Sequence, residues 1–298
     1  MHLPEIVDMC IYFTENPISE LSLVNKYFSI NVKKIRITSN KNFPNLKDEH
    51  LKQLPNITNL DLGGNKRITD ISSLFQLTEL NMSKNRNITN ISILTNLTSL
   101  VLFDNTLITD QEIFHLHKLT LLNLTNNNKI TGQGISHLSN LTELHLHSNK
   151  LITDQEISCL HKLTSLDLSY NNKITDRGIS HLNNLTKLRL SGNDLITDCG
   201  ILCLTKLNSL DISDKNLITN QGLSPNLTYL NLYLNDQITD QGISTLYNLT
   251  YLKIYYAENI SRKAILHLTN LTTLHCNNNI YKQDIKHLTK LKTVTVNI

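Results

Sequence analysis

Histidine, cysteine and carboxylate side chains are the groups of this 298-residue sequence that could do chemistry. His145 and His147 are two residues apart between alternating leucines, so both side chains point to the same side of a predicted strand. Asp167, on the next predicted strand, could supply the third ligand of a zinc site. Cys199 and Cys203 are one helical turn apart without further partners. We favour a structural role for the two cysteines and predict no metal site and no cofactor.

The other histidines follow a period in the sequence and do not form a catalytic set. Five of them take one recurrent position, which cysteine or threonine fills elsewhere: His115, His137, His181, His267 and His287. Such a column is most simply a repeated, partly exposed position on an outer surface. The sequence also contains no glycine-rich phosphate loop. We therefore predict that the protein is not an enzyme.

The elements that position these residues come from a unit of the form Leu-Thr-x-Leu-x-Leu-x-x-Asn. It recurs every 20 or 22 residues, beginning at Ile57, Leu77, Leu97, Leu119, Leu141, Leu163, Leu185, Leu207, Leu227, Leu249, Leu271 and Leu291. A degenerate copy begins at Val32. Alternation within the unit predicts a strand with one buried face. Apolar residues three apart then predict a short helix, which begins with a capping box at Thr109-Glu112 and Thr153-Glu156.

This period and consensus resemble the leucine-rich repeat. We predict an α/β leucine-rich-repeat solenoid with a curved parallel β-sheet inside and short helices outside, preceded by a small N-terminal helical segment. The predicted boundaries are residues 1–31 for the helical segment and 32–298 for a solenoid of about 12–13 units of 20–22 residues. In the shorter units we expect a tight turn in place of the helix.

The asparagine that closes each unit has a structural explanation. Its side chain can donate and accept hydrogen bonds, so a buried column of asparagines can satisfy the backbone of successive turns. The predicted column is Asn65, Asn85, Asn105, Asn127, Asn149, Asn171, Asn193, Asn235 and Asn279. Lys215 and Ala257 interrupt it, so we expect those two turns to be satisfied differently.

The units resemble two groups of leucine-rich-repeat proteins. The longer units, with Ile-Thr-Asp-x-Gly-Ile as at residues 174–179, look like those of F-box/LRR proteins. The shorter units, with Ile-Thr-Asp-Ile, look like internalin-type repeats, although an internalin-like surface adhesin is disfavoured because we find no signal peptide.

The first thirty residues resemble an F-box. Leu3-Pro4-Glu5-Ile6 is similar to its opening motif, and residues 21–28 are similar to its Leu-x-x-Val-Asn-Lys-x-Phe stretch. One residue is missing after Pro4, and the first repeat displaces the final F-box segment. The resemblance implies binding of a Skp-family adaptor through Leu3, Pro4, Ile6, Leu21 and Val24. The alternative is a pair of helices that only cap the solenoid.

Tyrosines concentrate on the predicted concave face of the late repeats. Because adjacent strands lie ~4.8 Å apart, we expect Tyr229 beside Tyr251 and Tyr233 beside Tyr255. Tyrosine provides a large contact area at low entropic cost, which favours a protein-binding surface over a purely stabilising ladder. The predicted surface comprises Tyr229, Tyr233, Tyr251, Lys253, Tyr255 and Tyr256, with a looser patch of Phe103, Asp104, His145, His147, Asp167, Tyr170 and Arg189.

Composition excludes several classes of function. Charged residues make up 18% of the chain and the net charge is +3, which argues against a nucleic-acid-binding protein. No apolar run reaches the ~20 residues of a membrane span. The five cysteines are an odd number, which with the apparent absence of a signal peptide predicts a cytoplasmic or nuclear protein.

We therefore predict a non-catalytic protein-interaction module with a protein partner on the concave face. The F-box resemblance implies a substrate receptor of a cullin-RING ubiquitin ligase. The alternative is a stand-alone scaffold or effector.

Overall fold

The computed structural model of the chain describes residues 34–36, 47–52, 54, 56–277, 280–281 and 283–297. The predicted F-box-like residues Leu3, Pro4, Ile6, Leu21 and Val24 lie outside these residues. Contacts divide the chain into a first unit, Met1–Leu141, and a second unit, Thr142–Ile298. Each unit is described separately.

The described part of the first unit has five parallel strands and three short helices. The strands are β1 (Lys34–Arg36), β2 (Asn59–Asp61), β3 (Glu79–Asn81), β4 (Ser99–Val101) and β5 (Leu121–Asn123), each paired with the next in the sequence. The helices are α1 (Asp48–Lys52), α2 (Asp110–Ile113) and α3 (Gly132–Ile135).

The second unit repeats this arrangement. In the part that the structure describes, its strands are β6 (Glu143–His145), β7 (Ser165–Asp167), β8 (Lys187–Arg189), β9 (Ser209–Asp211), β10 (Tyr229–Asn231), β11 (Tyr251–Lys253), β12 (Thr273–Asn277) and β13 (Thr293–Asn297). All pair in parallel in chain order. The helices are α4 (Asp154–Ile157), α5 (Asp176–Ile179), α6 (Asp198–Ile201), a 3₁₀-helix (Asn220–Gly222), α7 (Asp240–Ile243) and α8 (Arg262–Ile265).

The core follows from the alternation within each strand. Leu144 and Leu146 are fully buried, whereas His145 between them is only half-buried. Ile157 from the following helix is buried with the strand leucines. Because neighbouring strands pair leucine with leucine, as Leu144 pairs with Leu166, each repeat completes the core of the next. The prediction of an α/β leucine-rich-repeat solenoid is confirmed.

The predicted asparagine column is buried at every member that the structure describes, and Asn279 lies outside the described residues. The side chain of Asn193 donates to the Asn171 carbonyl at 2.9 Å and accepts from the amides of Leu195 and Ile196 at 3.0 Å. Where Lys215 interrupts the column, the next residue, Asn216, takes over the bond to the backbone and accepts from the Ile218 amide at 3.0 Å.

A second ladder on the helical side was not predicted from the sequence. Asp176 at the start of α5 accepts from both the amide and the hydroxyl of Thr197, at 2.8 and 2.7 Å, in the following repeat. Thr197 is the N-cap of α6. The same pair of bonds joins Asp110 to Thr131, Asp154 to Thr175, Asp198 to Thr219 and Asp240 to Ser261.

This ladder explains the glycine of the Ile-Thr-Asp-x-Gly-Ile motif. A Cβ on Gly200 would lie 2.4 Å from Oδ1 of Asp176, so glycine leaves room for the aspartate there, although Ala264 occupies the equivalent position beside Asp240. The two predicted capping boxes are confirmed, and there Glu112 and Glu156 bind their own N-cap threonines. An N-cap is therefore satisfied either by the preceding repeat or by its own helix. The shorter units near Ile68 and Ile88 contain turns in place of the helix, as predicted.

Candidate functional site

The strand face of the second unit carries the predicted binding residues. We define it as the side chains of the first and third residues of each strand and of the second residue after the strand. These side chains alternate with the buried leucines, so they point away from the core. For β10 they are Tyr229, Asn231 and Tyr233, and for β11 they are Tyr251, Lys253 and Tyr255.

Tyr229 and Tyr251 form a stacked pair on adjacent strands. Their ring centroids are 4.3 Å apart with an interplanar angle of 12°, as expected from the paired positions of the two residues. Burial, followed by the nearby Tyr251 and the Asp211 carboxylate, raises the pKa of Tyr229 to about 12. Both phenols therefore remain protonated near neutral pH and can donate hydrogen bonds.

The ammonium group of Lys253 contacts the next two tyrosines. Its Nζ is 4.7 Å from the ring centroid of Tyr233 and 5.7 Å from that of Tyr255, within cation–π range. The rings of Tyr233 and Tyr255 therefore share one cation. Tyr233 also meets Tyr256 edge to face, at 5.8 Å.

Tyr255 is fixed by a bond that spans two repeats. Its Oη donates to Oγ1 of Thr295 at 2.6 Å, and its ring lies 5.9 Å from that of His275. His275 also contacts Tyr251, at 5.2 Å. Sequence reasoning missed His275, although its strand-face register next to Lys253 was a usable signal. We call Tyr229, Tyr233, Tyr251, Lys253, Tyr255, Tyr256 and His275 the aromatic cluster.

Charged residues occupy the strand face of β6 to β8, where His145 and Arg189 both lie near the Asp167 carboxylate. Nε2 of His145 is 2.7 Å from Glu143, and its Nδ1 is 4.0 Å from Asp167. Arg189 lies 3.8 Å from the same Asp167 carboxylate. Interaction with Asp167, and then with Glu143, raises the pKa of His145 against the effect of burial. The buried Asp167 keeps a lowered pKa, because the interactions with His145, Ser169 and Arg189 outweigh burial.

Tyr170 is held by neighbouring repeats and contacts His147. Its Oη donates to Asp214 at 2.6 Å, and its ring lies 5.3 Å from that of His147. The ring lies over Gly192, where a Cβ would be 2.4 Å from it. Gly192 therefore allows the positive φ of +61° in the turn and also leaves room for the Tyr170 ring.

Phe103 lies in the first unit. Nζ of Lys84 is 5.1 Å from its ring centroid, and Arg86 pairs with the adjacent Asp104 at 3.2 Å. The structure therefore gives Phe103 and Asp104 local partners of their own.

Among the described residues, no group of three or more His, Cys, Asp or Glu side chains is arranged to hold a metal ion. His145 and Asp167, considered above as zinc ligands, instead form ion pairs. Cys159, Cys199 and Cys203 are exposed free thiols. None of the helices in the described part of the chain is long and apolar enough to span a membrane.

Comparisons with known proteins agree with this architecture. A model described as leucine-rich repeats in two copies matches residues 139–183, and one described as a leucine-rich repeat matches residues 115–139, 181–205 and 223–246. No curated protein matches the sequence.

Two solved structures illustrate the structural similarity. An internalin (inlF) of Listeria monocytogenes is 26% identical, with a TM-score of 0.62 over 92% of this chain and 89% of its own. The TLR13–ssRNA13 complex is 20% identical, with a TM-score of 0.60 over 92% of this chain and 44% of that one, a likeness of fold alone. The chain is therefore built from leucine-rich repeats and shares its fold with an internalin.

Proposed function

We propose that this chain is a non-catalytic protein-interaction module that binds a protein partner through the aromatic cluster. The observation that carries the proposal is the contact of the Lys253 ammonium group with the rings of both Tyr233 and Tyr255. Tyrosines fixed before binding lose little entropy on association, and clustered tyrosines are typical binding hot spots.

A stabilising ladder is the competing explanation, and the contacts differ from what it requires. Cross-strand pairs stabilise a sheet when side chains meet directly. The Tyr229–Tyr251 pair fits that description, whereas the rings of Tyr233 and Tyr255 both contact a cation. Tyr256 is 48% exposed, so much of its surface remains available to a partner.

Replacing Tyr233 and Tyr255 together by alanine is expected to weaken partner binding by about 10-fold or more, because two hot-spot side chains are lost. The measurement is affinity purification of the tagged chain from its native host, with quantification of each co-purified protein. Tyr247→Ala is the matched control, because Tyr247 is 58% exposed but lies off the strand face. The proposal fails if the double variant retains every partner that the control retains.

A second candidate function rests on the F-box resemblance of residues 1–31. We propose that this segment binds a Skp-family adaptor, so that the chain acts as a substrate receptor of a cullin-RING ubiquitin ligase in the cytoplasm or nucleus. Such a receptor needs no catalytic group, because it raises the local concentration of its bound substrate near the transferring enzyme.

Purified Skp-family adaptor is expected to bind the wild-type chain and to lose binding to Leu3→Asp and Val24→Asp variants. Removal of residues 1–31 distinguishes this function from a stand-alone scaffold. A pure cap predicts lower stability with partners retained, whereas an F-box predicts loss of the adaptor with the repeats still folded. Wild-type chain that does not bind the adaptor would exclude the ligase role and leave the aromatic cluster unaffected.

A further inference from the structure

We infer that the aromatic cluster recognises an acidic, apolar segment of its partner, with a carboxylate placed at Lys253 and an apolar side chain packed on Leu234 and Tyr256. This inference rests on the proposed protein-binding function and specifies the chemistry of the bound segment. It depends on two independent observations, a cation without a carboxylate and an exposed leucine in an unfavourable backbone conformation.

The charge pattern of the strand face changes along the second unit. On β6 to β8 the strand face contains the carboxylates of Glu143 and Asp167, and Arg189 lies 3.8 Å from Asp167. From β10 to β13, the described strand-face positions contain no carboxylate, and no described carboxylate lies within 4.0 Å of Lys253. Asp211 on β9 is already bonded to Ser213 and Asn231. Among the described residues, the Lys253 ammonium group therefore contacts aromatic rings and no carboxylate.

His275 does not add a second positive charge beside Lys253. Burial and the nearby Lys253 charge lower the pKa of His275, so the imidazole is neutral at physiological pH. A partner carboxylate would thus meet one ammonium group that is held in place and flanked by phenol rings. Partial desolvation strengthens such a charge-assisted contact.

The residue before the closing asparagine has a positive φ in one repeat after another. Residues that tolerate this conformation occupy it at Gly64, Asp104, Asn126, Gly192 and Asp214, and Lys84 and Ser148 adopt it as well. Leu234 and Tyr256 adopt it with φ of 56° and 57°, at an intrinsic cost of about 1–2 kcal/mol each. The equivalent Tyr170, which is 50% exposed, donates a hydrogen bond to Asp214, whereas the side chain of Leu234, which is 46% exposed, has no polar group that could form such a bond.

A strained and exposed leucine next to the cluster is explained by contact with a partner. The main-chain bond from the Leu234 amide to the Tyr255 carbonyl, at 2.9 Å, places this residue beside the end of β11. An apolar side chain of the partner would cover Leu234 and the exposed part of Tyr256 while a neighbouring carboxylate reaches Lys253.

A peptide fits these observations better than a nucleic acid. Binding of a single-stranded nucleic acid needs several cations along a groove and exposed aromatic faces on which bases can stack. Here Lys253 is the lone cation at the described strand-face positions from β10 to β13, and Tyr229 and Tyr251 cover each other's faces. The net charge of +3 agrees with this choice.

The test is selection of a phage-displayed random dodecapeptide library on the full chain, followed by anisotropy measurements with synthetic labelled copies of the enriched peptides. Enrichment of Asp or Glu beside Leu, Ile, Met or Phe is expected. Lys253→Glu should weaken binding by about 10-fold or more, and the matched Lys253→Arg variant, which keeps the charge, should retain it.

Leu234→Asn provides a second measurement. It should raise the free energy of unfolding, because asparagine tolerates positive φ, while weakening the same peptides. No enrichment, enrichment of neutral or basic peptides, or peptide binding unchanged by Lys253→Glu would overturn the inference. So would oligo(dT) that binds more tightly than the peptides in a Lys253-dependent manner.

The outcomes separate this inference from the proposed function. Neutral peptides that lose binding in the Tyr233→Ala/Tyr255→Ala variant would leave the protein-binding function standing and reject the acidic segment. Acidic peptides that bind the tyrosine variant with unchanged affinity would reject both.

Discussion

Replacing Asn127 by alanine is expected to lower the free energy of unfolding by about 3–5 kcal/mol. The side chain is fully buried, accepts from the amides of Lys129 and Ile130 at 3.0 Å, and donates to the Asn105 carbonyl at 3.0 Å. Alanine leaves these three backbone groups without their partner, and each such group costs about 1–3 kcal/mol. Urea-induced unfolding followed by circular dichroism measures the change.

The flanking asparagines supply matched controls within one tripeptide. Asn128 is exposed, so Asn128→Ala should change stability by less than about 0.5 kcal/mol. Asn126 is exposed but has a φ of 54°, so Asn126→Ala should cost about 1 kcal/mol through the backbone alone. Equal effects at the three positions would show that the buried asparagine has no special role in closing the repeat.

The substitutions Asp176→Gly and Gly200→Glu should be strongly coupled in their effects on the free energy of unfolding. Asp176→Gly alone removes both bonds to Thr197 and is expected to cost about 2–3 kcal/mol. Gly200→Glu alone forces a Cβ to within 2.4 Å of the Asp176 carboxylate, with a comparable cost. Together they reproduce the sequence pair of Gly132 and Glu156, where a capping box satisfies Thr153.

The double variant should therefore lose much less stability than the sum of the single variants, with a coupling of about 1–3 kcal/mol. Asp176→Gly combined with Gly222→Glu is the control, because Gly222 contacts Asp198 and not Asp176. Its two effects should add. Additive effects in the Asp176–Gly200 pair as well would contradict the view that an N-cap has two interchangeable solutions.

Much of the fold could be predicted because its determinants repeat along the sequence. The spacing of Leu144 and Leu146 defines a strand face, and recurrence at 20 or 22 residues aligns each strand with the next. The buried asparagines and the capping boxes depend on neighbours within one or two repeats. Even the stacking of Tyr229 on Tyr251 follows from the register alone.

The candidate site could be predicted only in part. Its face and most of its residues follow from strand register, but the contact of Lys253 with both Tyr233 and Tyr255 depends on side-chain rotamers. The bond from Tyr255 to Thr295 crosses two repeats, beyond the range of a pattern that relates each repeat to the next.

By itself, the sequence determined the repeat length, the buried leucines and asparagines and the face on which the tyrosines lie, because these depend on a fixed period and on alternation. Only the tertiary structure decided which side chains meet across repeats: the aspartate that binds the next threonine, the glycine that leaves it room, and the lysine that contacts two tyrosine rings. Those contacts form when stacking brings residues about twenty positions apart to within bonding distance, where rotamer choice selects among several possible partners.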